Sequence, residues 1–314
     1  MTWKAVRRAV AIALVFAAPQ LAGGHGFAGK RFFPATLATD DPFVADELSL
    51  PTIAYQRFPV SGDAPAGSET DFSIDVAKRI TENFGIEIGA TYRQIRPDGG
   101  DTQSGFDNLG VGFKYKFYQN DEHEAIISAG VDADVGGTGS RRVGAESFST
   151  ITPGVFFGKG FGDLSDEMRW LRPLAITGQV GIGFPTRSST MTITGEGEAD
   201  VERNPHTLQW GFAIEYSLPY LQSFVRDVGL RAPFNRMIPI VEFAMSTPLD
   251  RGQRGATTGT VNPGIIWAGQ DIQLAMEAVI PVNRRSGNSV GVLGQVHFFL
   301  DDLFPKTIGR PLIR

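Results

Sequence analysis

The sequence predicts an all-β fold, a transmembrane antiparallel β-barrel of about 12 strands, and three observations carry that prediction. Apolar and polar residues alternate along nearly the whole chain after residue 50, the pattern of strands whose two faces meet different solvents. Most alternating runs are 9 to 13 residues long. A tilted strand crosses a bilayer in roughly 9–11 residues, whereas soluble strands cluster near about 5–6. No segment after the first residues holds 18 consecutive apolar residues. A chain in the membrane must then cross as a closed sheet, in which every backbone group finds a partner.

At the start of the chain, Lys4, Arg7 and Arg8 precede the apolar run AVAIALVFAA at 9–18, then Pro19 and small residues. This is the layout of a secretory signal, and ten apolar residues are too few for a spanning helix, which needs roughly 20. Ala22 and Gly24 place cleavage before His25; Gly24 and Gly26 allow it before Phe27. Loss of residues 1–24 removes three basic and no acidic residues, taking the net charge from −5 to −8. That charge argues against nucleic acid as a partner. The absence of Cys excludes disulfides, thiolate metal sites and a Cys nucleophile.

Residues 25–49 follow as an N-terminal segment. Its FFPATLATDDPF stretch has two Pro and weak alternation, and could fold into the lumen as readily as hang below it. Residues 50–300 are the barrel and 301–314 a C-terminal extension. Strands are expected at 50–58, 70–79, 84–95, 106–118, 123–135, 147–159, 172–184, 206–217, 237–247, 259–268, 270–281 and 289–300. In the third, Phe84, Ile86, Ile88, Ala90 and Tyr92 alternate with Glu87, Gly89, Thr91 and Arg93. In the eleventh, Ile272, Leu274, Met276, Ala278 and Ile280 alternate with Gln273, Ala275, Glu277 and Val279.

Twelve is even, which puts both ends of the barrel in the periplasm. The outer connections are then 59–69, 96–105, 136–146, 185–205, 248–258 and 282–288, mostly polar and Gly-rich. The inner ones at 80–83, 119–122 and 269 are short. GFGDLSDEMRWLR (160–172) and the segment 217–236 are long exceptions, so either they pack under the barrel or the sidedness is inverted. The second could hold a short amphipathic helix with Leu221, Phe224, Val225 and Val228 on one side.

The polar faces carry Asp75, Glu87, Asp132, Asp134, Glu215, Glu242 and Glu277 together with Arg93, Lys114 and Lys116. These are the candidate lumen-lining residues, with charges of both signs that a dry core could not hold unpaired. The four His residues show no HExxH spacing. After cleavage, His25 would present an amine and an imidazole together, a chelating pair for a cation such as copper, with His297 as its third ligand; otherwise His25 starts a tail and His297 lines the lumen. Glu196, Glu198, Asp200 and Glu202 fall on one side of an extended GEGEADVE loop, which could attract cations, although it lacks the Asp-x-Asp-x-Asp-Gly calcium pattern. There is no G-x-S-x-G elbow. GKGFG (158–162) and GIGFP (181–185) open no helix in a βαβ unit, so no cofactor is implied. A Ser and His brought together on the barrel wall would follow no local spacing rule.

The segments GKGFGDL, LRPLAITGQVGIGFP, YSLPYLQSFVRDVGL, TTGTVNPGIIWAG and VHFFLDDLFP, with GKRFFPATLATDDPFVADELSLP, resemble proteobacterial outer-membrane barrels near the "MetA-pathway of phenol degradation" transporter-like proteins. The resemblance covers most of the mature chain and implies an outer-membrane barrel passing small or aromatic molecules; it supplies no catalytic residues. One departure is that DDLFPKTIGRPLIR follows Phe299 and Leu300, where many barrels end on an aromatic residue. The reading is a non-enzymatic outer-membrane channel or passive transporter for a small solute, with outer-membrane lipid as its surroundings. The alternatives are a copper-handling barrel using His25, an outer-membrane hydrolase, or a structural barrel.

Overall fold

The computed structural model describes residues 26–60, 65–193, 199–252 and 254–313. Twelve long strands follow one another: β1 Glu47–Phe58, β2 Gly67–Arg79, β3 Phe84–Pro97, β4 Leu109–Asn120, β5 Ala125–Val135, β6 Thr150–Gly160, β7 Leu174–Pro185, β8 Thr207–Tyr216, β9 Met237–Pro248, β10 Thr258–Ala268, β11 Ile272–Pro281 and β12 Gly291–Phe299. Each pairs antiparallel with the next, and β12 returns to β1 through Leu293↔Ala54 and Val292↔Tyr55. The sheet is therefore closed, and no long strand has an open edge. All twelve expected strands are present, with ends moved by at most three residues.

Alternation along each strand sorts the side chains by solvent. Phe72, Ile74 and Val76 on β2, Phe113 and Tyr115 on β4, and Leu274, Met276 and Ile280 on β11 are exposed on the outer wall. Ser128, Thr177, Glu215, Glu242, Asn262, Gln273 and Glu277 are buried on the inner wall. Apolar side chains outside and polar ones inside is the arrangement a barrel takes in hydrocarbon.

Both ends of the described chain lie at one end of the barrel, here called the inner end, together with the connections 80–83, 121–124, 161–173, 217–236 and 269–271. The two long inner connections pack beneath the barrel: Tyr220 and Leu221 are buried, and Tyr216 donates to the Trp170 carbonyl at 3.1 Å. The second connection is not one amphipathic helix. It forms helical turns at Leu218–Tyr220, Leu221–Val225 and Phe234–Arg236, because Arg226 is extended and Gly229 has a φ of 71°. Phe224 and Val228 consequently stay exposed while Leu221 is buried.

At the outer end, a short strand Gln103–Phe106 extends the sheet from β3, and Ser189–Ile193 pairs with Ala199–Arg203 as a projecting hairpin. The hairpin falls in the outer connection 185–205, where the extended GEGEADVE stretch reads as a solvated outer hairpin, whereas the strand at Gln103–Phe106 had no distinct signal in the sequence. Residues 26–46 enter from the inner end as a plug, beginning with a small hairpin, Phe27–Ala28 against Arg31–Phe32. The core lies between this plug and the wall. Phe33 and Phe43 pack with Ile126 and Ala175, while Phe32 and Leu37 meet Ala213, Ile238, Ile240, Ile266 and Ala275. Each fully buried large side chain contributes roughly 1.5–3 kcal/mol.

Candidate solute pathway

The plug is held at three levels. At the inner rim the Gly29 N–H donates to Asp121 at 3.0 Å, and a Cβ at Gly29 would collide with the Asp121 carbonyl. Next to it, the buried Arg31 guanidinium reaches Glu124 at 3.2 Å and the Pro173 carbonyl at 2.9 Å, bonds the Arg172 carbonyl, and lies 3.8 Å from the Tyr220 ring centroid. The Tyr220 hydroxyl completes the cluster by donating to Glu124 at 2.8 Å.

Halfway up the barrel, the Glu242 carboxylate accepts from three consecutive backbone N–H groups, Leu37, Ala38 and Thr39, at 2.6, 3.0 and 2.7 Å, and from the Thr39 hydroxyl at 2.8 Å. Across the lumen the Lys114 ammonium donates to Asp40 Oδ1 and to the Asp41 carbonyl, both at 2.7 Å. Gln179 accepts from the Asp40 N–H at 3.2 Å. Burial, with Glu47 and Asp40 nearby, pushes the Asp41 carboxyl up to about 6, against the opposing pull of Lys114 and the Phe43 N–H. At the exit, Asp46 is fully buried and takes Lys78 at 2.6 Å and Arg79 at 2.8 Å.

Above and beside the plug lies a cavity of about 910 Å³. Its walls run from Asn204 and Thr207 near the outer end down to Glu47, Ser49 and His297 near the inner end, with Asp40 and Asp41 of the plug on its floor. A void of about 20 Å³ between Phe43–Ala45 and the wall at Gly85 and Lys114 continues toward the inner end.

The ten candidate lumen residues all sit at inward positions, but they divide into three groups. Asp75, Glu87, Asp132 and Asp134 line the cavity. Glu215, Glu242 and Glu277 are sealed behind the plug, with the Glu277 side chain lying across Gly264. The basic residues are drawn elsewhere. Arg93 is near the outer end with Asp71, Glu69 and Asp107 at 3.0, 3.3 and 3.0 Å; Lys114 is spent on the plug, and Lys116 reaches Gln119 at 2.9 Å near the inner rim. The interior thus carries both signs, with the acidic candidates on the cavity wall, Arg203 at its mouth and the three basic candidates held at its margins. The reason is that each inward Lys or Arg found a specific anionic or carbonyl partner. Sequence reasoning missed Gln179, Gln295 and the plug residues Thr39 and Asp40.

The remaining candidates are dispersed. His25, Glu196 and Glu198 lie outside the described residues, and Glu202 lines the mouth of the cavity. His297 is buried, with Nδ1 3.0 Å from Ser49 Oγ and Nε2 3.2 Å from Glu47 Oε2. Both ring nitrogens thus lie next to a side chain of β1, and the pairing of His297 with His25 falls outside the described residues. Among the described residues no group of three or more His, Cys, Asp or Glu is placed to hold a metal ion. Ser49, His297 and Glu47 do bring a serine and a histidine together on the wall. The nitrogen order is the reverse of a working triad, where the serine faces Nε2 and the acid Nδ1. The chain of bonds instead joins β12 to β1 across the closing seam, where His297 and Ser49 are cross-strand partners.

No protein-family model matches the chain, and no curated protein matches it. Solved structures do. A channel from Pseudomonas putida F1, described as the COG4313 outer membrane channel, superposes with a TM-score of 0.52 at 11% identity, covering 85% of this chain and 99% of that one. The transport unit of the autotransporter AIDA-I from Escherichia coli gives 0.48 at 10% identity over 80% and 89%, and the NanC porin 0.46 at 9% over 80% and 98%. With the closed twelve-stranded sheet and its apolar outer wall, the fold is that of an outer-membrane β-barrel.

Proposed function

We propose that the protein is an outer-membrane channel through which small solutes pass passively beside a resident N-terminal plug. One observation carries this reading: the plug fills the inner half of the barrel on the β5–β11 side, yet leaves a polar cavity that extends from the outer mouth down to Glu47, Ser49 and His297 near the inner end of β1 and β12. The description of the Pseudomonas putida barrel as a channel supports it. The finer kinship, with the "MetA-pathway of phenol degradation" transporter-like barrels, rests on the sequence segments named above. Passage past the narrow zone at Phe43–Ala45 requires movement of the plug exit, so wild-type currents should be small and those of a plug-loosened variant larger. Planar-bilayer recording of the mature protein tests this. A folded barrel that passes no current, either as wild type or as Glu242→Ala, overturns the channel reading.

A further inference from the structure

We propose that Val44 is the gate of this pathway and that Gly85 on β3 is its seat. The inference rests on the channel reading and adds to it the contact that closes the route.

The way to the inner end is confined to one side of the plug. Against β5–β11 the plug is sealed by hydrocarbon: Phe33 and Phe43 pack on Ile126 and Ala175, and Phe32 and Leu37 on the cluster around Ile238 and Ile266. On the opposite side, the cavity of about 910 Å³ gives way to the void of about 20 Å³ between Phe43–Ala45 and Ala77, Gly85 and Gly112 of β2–β4. A water needs roughly 10–15 Å³ of such space, so the void admits about one water and no larger solute.

Strand register sets the wall back at this level. Alternation with Phe84 and Ile86 puts Gly85 on the lumen side of β3, where it pairs with Arg79 of β2 and Lys114 of β4. Both long side chains bind the plug on either side of residues 43–45, Arg79 at Asp46 and Lys114 at Asp40 and the Asp41 carbonyl. Val44 occupies the recess at the glycine: its Cγ1 lies 3.0 Å from where a Cβ on Gly85 would stand. Any side chain at position 85 would press on Val44.

The strap Phe43–Ala45 is held at its ends and not in its middle. The Ser128 hydroxyl donates to the Pro42 carbonyl, and Asp46 takes Lys78 and Arg79. Phe43 is fixed by its ring, 5.6 Å from that of Phe33 between centroids, and its N–H donates to Asp41 at 2.8 Å. Among the described residues, Val44 and Ala45 make no hydrogen bond, and Val44 is only half-buried. Segments with few ties are those that open at the least free energy. Withdrawal of Val44 from Gly85 therefore widens the void while the anchors at Glu242, Lys114 and Asp46 stay in place.

The chain has no Cys, so Val44→Cys with Gly85→Cys introduces a pair that can bond only to itself within one molecule. The 3.0 Å contact puts the two Cβ positions roughly 4–4.5 Å apart, inside the span of about 3.5–4.5 Å that a disulfide bridges. Planar-bilayer current is recorded from mature protein carrying the pair, oxidised with copper phenanthroline and then reduced with dithiothreitol, with Glu242→Ala as the reference for a loosened plug. The oxidised form should be cross-linked by mass and pass no current, and reduction should restore at least the wild-type level. Val44→Gly, which frees space for roughly two or three waters of about 30 Å³ each, should conduct severalfold more than wild type. A cross-linked protein that conducts as well as the reduced one, failure of the folded pair to cross-link, or a wild-type current from Val44→Gly overturns the gate and leaves the channel standing where Glu242→Ala conducts. Absence of current from Glu242→Ala and from every other form removes the channel reading and the gate together.

Discussion

Glu242 receives four hydrogen bonds from a loop that has no regular structure of its own, which makes one carboxylate the anchor of the plug apex. Bonds to a charged group are worth about 1.5–3 kcal/mol each, and the loss of this acceptor would leave buried amides unmet. Glu242→Ala should therefore weaken apex docking by roughly 3 kcal/mol or more, with amide exchange at residues 37–39 accelerating by at least about a hundredfold. Unchanged exchange would show that the apolar contacts of Leu37 suffice. Asp41 adds a pH dependence of definite sign. Its carboxyl is raised from 3.8 to about 6 by burial and by Glu47 and Asp40, so the docked plug binds a proton more tightly than the released plug does. The electrostatic penalty is full above pH 6 and fades as pH falls toward 3.8. Protection of residues 40–43, corrected for intrinsic exchange, should thus be higher at pH 5 than at pH 7.5, and Asp41→Asn should remove the difference. Greater protection at pH 7.5 would contradict the assignment.

At the scale of elements, the outward faces of the strands were legible because lipid imposes one rule on all of them. Leu274 illustrates it: exposed on β11, it should tolerate no charge, and Leu274→Arg costs roughly 2–4 kcal/mol near the midplane, to be read as loss of heat-resistant migration in detergent. Glu277, three positions along, faces inward as alternation requires but is buried behind the plug, so Glu277→Arg should disturb plug seating and not simply recolour an open lumen. The sequence held a sign of this. β9 reads MIPIVEFAM, apolar on both faces at Ile238, Ile240, Val241 and Phe243, and β10 does the same at Ile265, Ile266 and Trp267. Strands greasy on both sides mean that something apolar lies inside. What filled the space stayed hidden because plug residues 26–46 carry no periodicity: Glu242 and Lys114 fix them through contacts separated by 203 and 74 residues.

For the molecule as a whole, the vulnerable line is the seam between β12 and β1, which joins the ends of the barrel sequence. Two pieces from outside the wall converge there. Asp46, leaving the plug, binds Lys78 and Arg79 of β2, and its carbonyl accepts from the Leu300 N–H at 2.9 Å. The C-terminal extension then crosses the inner end: Lys78 donates to the Ile308 and Arg310 carbonyls at 2.9 and 2.6 Å, Arg79 to that of Gly309 at 3.1 Å, and the Ile313 N–H to Ile80 at 2.8 Å. The tail thus links the end of β12 to β2 past β1 and acts as a clasp over the seam. This gives a reason for a barrel whose last strand is followed by DDLFPKTIGRPLIR. Among the described residues, none of the tail lines the cavity. Truncation after Phe304 should therefore lower the temperature at which the barrel unfolds in detergent by several degrees, while conductance at low temperature stays at the wild-type value. Arg79→Ala, which removes the guanidinium bonds to Asp46 and to the Gly309 carbonyl together, should reproduce much of the thermal effect. An unchanged unfolding temperature in both variants would mean that strand pairing alone holds the seam, and a changed conductance would place the tail in the solute path.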